Sequence, residues 1–138
     1  MKLLFIILIP VIIFGQNIQT SNDSVILVSK LNYKKSISIE DINLKFEEVL
    51  SDSRCPKDVE CVWAGEAKVL IEIYQNGHID IRKEIIIDVK GILNDASNLI
   101  YASNTIKVYA TGLYPYPMTS KKKDFETYYL EISVLTIN

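Results

Sequence analysis

The amino-acid sequence predicts an all-β fold, an antiparallel β-sandwich of about seven strands, with a small β-barrel as the alternative closure of the same strands. Three observations carry this prediction. Apolar residues recur with a period of two in most segments from Ile37 onward. An Asn76-Gly77 pair sits between two such runs. No stretch beyond the first fifteen residues carries the helical period of about 3.6.

Met1-Lys2, the apolar run Leu3 to Phe14 and the polarity change at Gly15-Gln16 have the pattern of a secretory signal peptide over residues 1–15. The run is shorter than the roughly 20 apolar residues of a comfortable membrane span. Residues 16–24 (QNIQTSNDS) are polar and aperiodic and read as a tether. Residues 25–138 then read as one domain. Val25 to Leu31 is a β-branched run, and Ile37 and Ile39 alternate with Ser36, Ser38 and Glu40. Ile42, Leu44 and Phe46 alternate with polar neighbours until Val49 and Leu50 fall out of phase, which predicts a β-bulge or strand end before the first cysteine.

The strongest element is a hairpin. Ala67, Val69, Ile71 and Ile73 lie on one face, and Asn76-Gly77 supplies the two positive-φ positions of a type I′ turn. Ile79, Ile81, Ile85 and Ile87 alternate with charged residues on the return. Lys90 to Asn104 reads as a long connection holding a short strand near Leu99 to Tyr101. Thr105 to Leu113 is a further strand, stopped by Tyr114-Pro115-Tyr116-Pro117 because proline cannot donate to a sheet ladder. A polar loop from Met118 to Asp124 precedes a last strand with Tyr128, Leu130, Ile132 and Val134 in alternation.

Composition narrows the function classes. The chain carries 15 basic and 17 acidic residues, and removing the leader takes away Lys2 and no acid. A mildly acidic domain has no electrostatic reason to bind nucleic acid, or a membrane once the signal is cleaved. Roughly 120 mature residues suffice for a single hydrophobic core. The expected location is outside the cytoplasm, in the periplasm or beyond the cell.

One segment is dense in special residues: Asp52-Ser53-Arg54-Cys55-Pro56-Lys57-Asp58-Val59-Glu60-Cys61-Val62-Trp63-Ala64-Gly65-Glu66-Ala67. In an oxidising compartment two lone cysteines flanking a short proline-containing loop pair with each other, so a Cys55–Cys61 disulfide is expected. Two thiolates and one distant histidine do not complete a zinc site. Asp52 and Ser53 suit side-chain turns, Arg54 has Glu66 or Glu60 as a partner, and Gly65 suits a positive-φ turn. Trp63, the only tryptophan, is expected to pack on the disulfide or to plug the end of the core; the competing reading places it in a binding site.

The string DSRCP, four residues, then CVWAGEA, together with Phe46-Glu47-Glu48-Val49 and Tyr114-Pro115-Tyr116-Pro117, resembles a widespread family of small exported bacterial proteins, many from Bacteroidetes. The resemblance covers most of residues 37 to 137 and implies a secreted β-sandwich, with no activity attached. The cysteines and the Trp63-Ala64-Gly65 turn are the positions that carry it.

No spacing of polar residues matches a known chemistry. His78, the only histidine, adjoins the hairpin turn and is expected in solvent. No Gly-x-Ser-x-Gly elbow is present. Asp52 and Glu66 are the carboxylate pair a glycoside hydrolase reading would use. Asp58, Glu60, Asp88 and Asp95 lack the alternation of a calcium loop, and Lys121 to Lys123 read as a solvated loop. The expectation is therefore a non-enzymatic exported binding or structural domain, without metal or cofactor. A protein or small ligand would bind at a loop rim of Arg54, Lys57, Trp63, Tyr114 and Tyr116. The alternatives are a secreted protease inhibitor offering the Cys55–Cys61 loop as a pseudo-substrate and, further off, a carboxylate-based hydrolase.

Overall fold

A computed structural model describes residues 26–89 and 96–137. The leader, the tether and the first part of the long connection, including Asp95, lie outside the described residues. Eight strands form where the period-two pattern runs: β1 (Ile26–Asn32), β2 (Ser36–Ile39), β3 (Ile42–Asp52), β4 (Ala67–Gln75), β5 (His78–Ile87), β6 (Leu99–Ala102), β7 (Ile106–Tyr114) and β8 (Tyr129–Thr136). One short 3₁₀ turn, Phe125–Thr127, precedes β8.

The strands make two antiparallel sheets, ordered β1-β8-β7-β6 and β2-β3-β4-β5. They do not close into a barrel, so the sandwich prediction holds and the barrel alternative falls. Alternation explains the core: Leu44, Phe46, Val69, Ile71 and Ile85 of one sheet join Val108, Ala110, Leu130 and Ile132 of the other in one buried cluster. Each large aliphatic side chain so buried stabilises the fold by roughly 1.5–3 kcal/mol. The slip expected near Val49 is present as two register shifts in β3, between Phe46 and Glu48 and between Val49 and Ser51, and it keeps Phe46 and Val49 both buried. Asn76 and Gly77 both have positive φ, 51° and 78°.

The return strand departs from its simple pattern. Ile85 and Ile87 are buried, but Ile79 and Ile81 are 43 % and 46 % exposed. A register shift lies between Ile73 and Tyr74, so Ile79 pairs with Tyr74 and Ile81 with Ile73. The shift therefore sets Ile79 on the face of Tyr74, away from that of buried Ile73, while Ile81 stays opposite Ile73 on β5, an edge strand.

On β3, β4 and β5, cross-strand partners Lys45, Glu72 and Arg82 build a row of ion pairs. Glu47 binds Lys34 at 2.6 Å and Lys45 at 2.5 Å, and Glu72 binds Arg82 at 2.8 Å and the Tyr74 hydroxyl at 2.7 Å. The two lysine ammonium groups hold the Glu47 carboxyl below its ordinary range. For Glu72 the Tyr74 hydrogen bond is the largest cause of a similar lowering.

Candidate functional site

The two long connections that stay within one sheet, β3 to β4 and β7 to β8, leave the sandwich at the same end. Their bases are the terminal pairs Asp52 with Ala67 and Tyr114 with Tyr129. Arg54 joins them. Its guanidinium donates through Nε and Nη2 to the two oxygens of Asp52, at 2.8 and 2.9 Å. It also donates to the carbonyls of Leu113 at 2.5 Å and Pro115 at 3.4 Å. The Tyr128 hydroxyl completes the cluster by donating to Asp52 at 2.9 Å.

Arg54 is 4 % exposed. A cation so deeply placed requires a carboxylate and carbonyls around it, since a lone buried charge is very costly. Its partner is thus Asp52, not the expected Glu66 or Glu60: at i and i+2 on extended backbone the two side chains share a face, and Asp52 is itself covered. Burial alone would raise the Asp52 carboxyl, but the Arg54 hydrogen bonds and charge, helped by Tyr128, hold it below its ordinary value. Burial first, and then the neighbouring Asp52 carboxylate, push the Tyr128 phenol up to about 12.

Above this anchor the loops are fastened in steps. Ser53 donates its amide to the Glu66 carbonyl and Cys55 to the Ala64 carbonyl, at 2.9 and 2.8 Å. Gly65 has φ 71°, and a Cβ there would sit 2.0 Å from the Ser53 carbonyl oxygen, so the turn admits only glycine. Cys55 and Cys61 form the expected disulfide, with Cα atoms 5.9 Å apart. The Lys57 amide donates to the Pro117 carbonyl at 3.0 Å. Thr119 donates its amide, at 2.9 Å, and its hydroxyl to Asp58, and these bonds lower the Asp58 carboxyl. Lys123 donates to the Asp52 carbonyl.

Of the sequence-expected rim the structure brings Arg54, Lys57 and Tyr116 together, with Arg54 buried and not presented. Arg54 lies 4.5 Å and the Lys57 ammonium 5.7 Å from the half-buried Tyr116 ring. Tyr114 belongs to the sheet instead: its ring stacks on Tyr129 at 5.4 Å, with Lys30 over Tyr129 at 4.6 Å. Trp63 overturns its structural expectation. It neither covers the disulfide nor enters the core, but stands 81 % exposed beside Val62 at 92 %, with Val59 at 44 %. The core end it was expected to close is already filled by the Asp52–Arg54–Tyr128 cluster.

Tyr128 and Thr119 are the functional-end residues that sequence reasoning missed. Their partners lie 76 and 61 positions away, and only the Asp52-x-Arg54 spacing was a local signal. Asp52 is fully engaged with Arg54 and Tyr128, which leaves no free carboxylate pair with Glu66. His78 is exposed at the start of β5. Among the described residues no group of three His, Cys, Asp or Glu side chains is placed to hold a metal ion, and no helix is long and apolar enough to cross a membrane.

Fold and site together define a disulfide-pinned all-β sandwich domain with two interlocked loops at one end. No family model, curated protein or solved structure matches the chain.

Proposed function

We propose that the chain is an exported, non-enzymatic recognition domain, acting in the periplasm or outside the cell, that offers Val62 and Trp63 to a protein or small ligand. The observation that carries this reading is the 81 % exposure of the only tryptophan on a loop held by a disulfide, a buried arginine and an interlocked neighbour. An indole kept in water gains by entering an apolar pocket, and a loop already fixed loses little entropy in doing so. The inhibitor alternative finds less support, because the Lys57 amide is tied to Pro117 and its ammonium lies over Tyr116 instead of projecting as a pseudo-substrate. The hydrolase alternative is weakened by the commitment of Asp52 to Arg54.

Trp63 emission reports this tip directly. The purified domain is to be titrated with soluble glycans, extended peptides and purified exported proteins, with emission and iodide quenching as readouts. The cognate class is expected to shift the emission to the blue and protect the indole. The double variant Val62→Ser, Trp63→Ala is expected to lose calorimetric binding to that ligand while its stability stays within about 0.5 kcal/mol of the parent, as for surface sites. Undiminished binding by this variant, or a marked loss of its stability, overturns the proposal.

A further inference from the structure

The connection from Tyr114 to Tyr128 holds a second feature that the exposed tip does not use. Pro115, Tyr116, Pro117 and Met118 line a cleft of about 290 Å³ whose remaining wall includes Lys121, Lys122 and Lys123. That volume lies at the small end of ligand sites, which run to roughly 300–1,000 Å³. Three successive lysines repel one another, and they occur here in a chain whose net charge is −2.

The segment bearing them is fixed on both sides. Thr119 is held by Asp58 and Lys123 by the Asp52 carbonyl, and the Thr127 hydroxyl donates to the Asp124 carbonyl at 2.7 Å. Lys123 is therefore committed to the fold, whereas Lys121 and Lys122 make no ion pair among the described residues. Asp124, Thr127 and Tyr128 complete the wall; the Asp124 carboxylate accepts the Glu126 amide at 3.1 Å and forms no ion pair with either lysine, so one acid faces three lysines in the lining. The cleft thus has an apolar, partly aromatic floor and an excess of positive charge, with Lys121 and Lys122 outside any ion pair among the described residues. A bare inorganic anion would leave the floor unused, and a neutral ring would leave the ammonium groups unpaired.

We infer that this cleft binds a compact ring-borne oxyanion, a carboxylate or phosphate on a body no larger than one sugar or aryl ring, with Lys121 and Lys122 taking the charge and Tyr116 with Met118 the ring. The inference stands on residues distinct from Val62 and Trp63 and does not depend on them. The experiment is a titration of the isotope-labelled domain, followed by amide chemical shifts, with galacturonate and phenyl phosphate as ring-borne anions and with glucose and inorganic phosphate as the two half-ligands.

At least one ring-borne anion is expected to move the amides of residues 116–128 saturably, to bind more tightly than either half-ligand, and to weaken as salt is raised. The variant Lys121→Gln, Lys122→Gln is expected to bind it about tenfold more weakly, equivalent to ~1.4 kcal/mol, with an unchanged melting temperature. Lys121→Arg, Lys122→Arg is expected to retain binding. Glucose or inorganic phosphate binding as tightly as the ring-borne anions overturns the inference, as does an unaffected glutamine variant or the absence of shifts at residues 116–128 with both anions. An emission change at Trp63 without those shifts supports the tip alone and refutes the cleft.

Discussion

Two ionic assemblies, one of three side chains and one of five, sit in different surroundings, and the contrast shows how burial sets the weight of a charge. The Asp52–Arg54–Tyr128 cluster is enclosed at the loop end, with side-chain exposures of 2 % for Arg54 and 0 % for Asp52. The row from Lys34 through Glu47, Lys45 and Glu72 to Arg82 lies over one sheet, with the Lys34 and Arg82 side chains 48 % and 62 % exposed. In the first, each hydrogen bond replaces water that cannot return; in the second, Glu72 is itself 3 % exposed, but water reaches the outer partners Lys34 and Arg82 and substitutes for them when either is lost. Position in the fold, more than the number of contacts, decides which assembly holds the molecule together.

The largest expected effect breaks the enclosed cluster. Arg54→Ala leaves the Asp52 carboxylate buried with only the Tyr128 hydroxyl and the residue-54 amide as donors and frees the carbonyls of Leu113 and Pro115, so unfolding free energy is expected to fall by about 3–5 kcal/mol in urea titrations. A loss below about 1 kcal/mol would erase the contrast. Next in size is the covalent clamp. Cys55→Ser with Cys61→Ser removes the closure of a very short loop, expected to cost about 2 kcal/mol. The sandwich is expected to survive, because Arg54 fixes the loop base without the disulfide.

The pH dependence sharpens the comparison on both sides. Asp52 has a lowered folded pKa, so its stabilisation is present above the ordinary aspartate value of about 3.9 and is lost as pH falls through the folded value. Tyr128 is raised to about 12, so its contribution is present below the ordinary phenol value of about 10 and is lost as pH rises toward 12. Urea midpoints of Tyr128→Phe are expected to lack that component of the alkaline decline shown by the parent. The smallest expected effect is on the exposed row: Arg82→Ala is expected to change stability by roughly 0–1 kcal/mol, and added salt to remove the difference.

What was legible in the sequence follows the same division between local and distant causes. Alternation in β4 and β8, the slip at Val49, the Asn76-Gly77 turn and the positive φ at Gly65 all depend on near neighbours, and each is present. Ile79 and Ile81 continue the alternation of Ile85 and Ile87, but alternation reveals neither the register shift between their pairs nor that β5 is an edge strand. Trp63 stood between a packing role and the binding rim because nothing near it in the chain shows that Tyr128 and Leu113 arrive to close that end around Arg54. Tyr116 and Lys57 were placed on one rim by residue chemistry alone. Tyr114 shared their sequence neighbourhood, yet its position as the last residue of β7 turned its ring onto Tyr129.

The order of strands also sets when this molecule becomes complete. The sheet β2-β3-β4-β5 is assembled from successive segments, whereas β1 has β8 as its sole neighbour in the other sheet. β1 therefore waits, with Ile26, Leu27 and Val28 unpaired, until β8 has been made. Pairings between segments so far apart form late, after the entropy of closing nearly the whole chain has been overcome. Loss of the final ten residues would strip β1 and β7 of the same partner at once. A polypeptide arranged in this way keeps its β1-β8-β7-β6 sheet unfinished until β8 has been made.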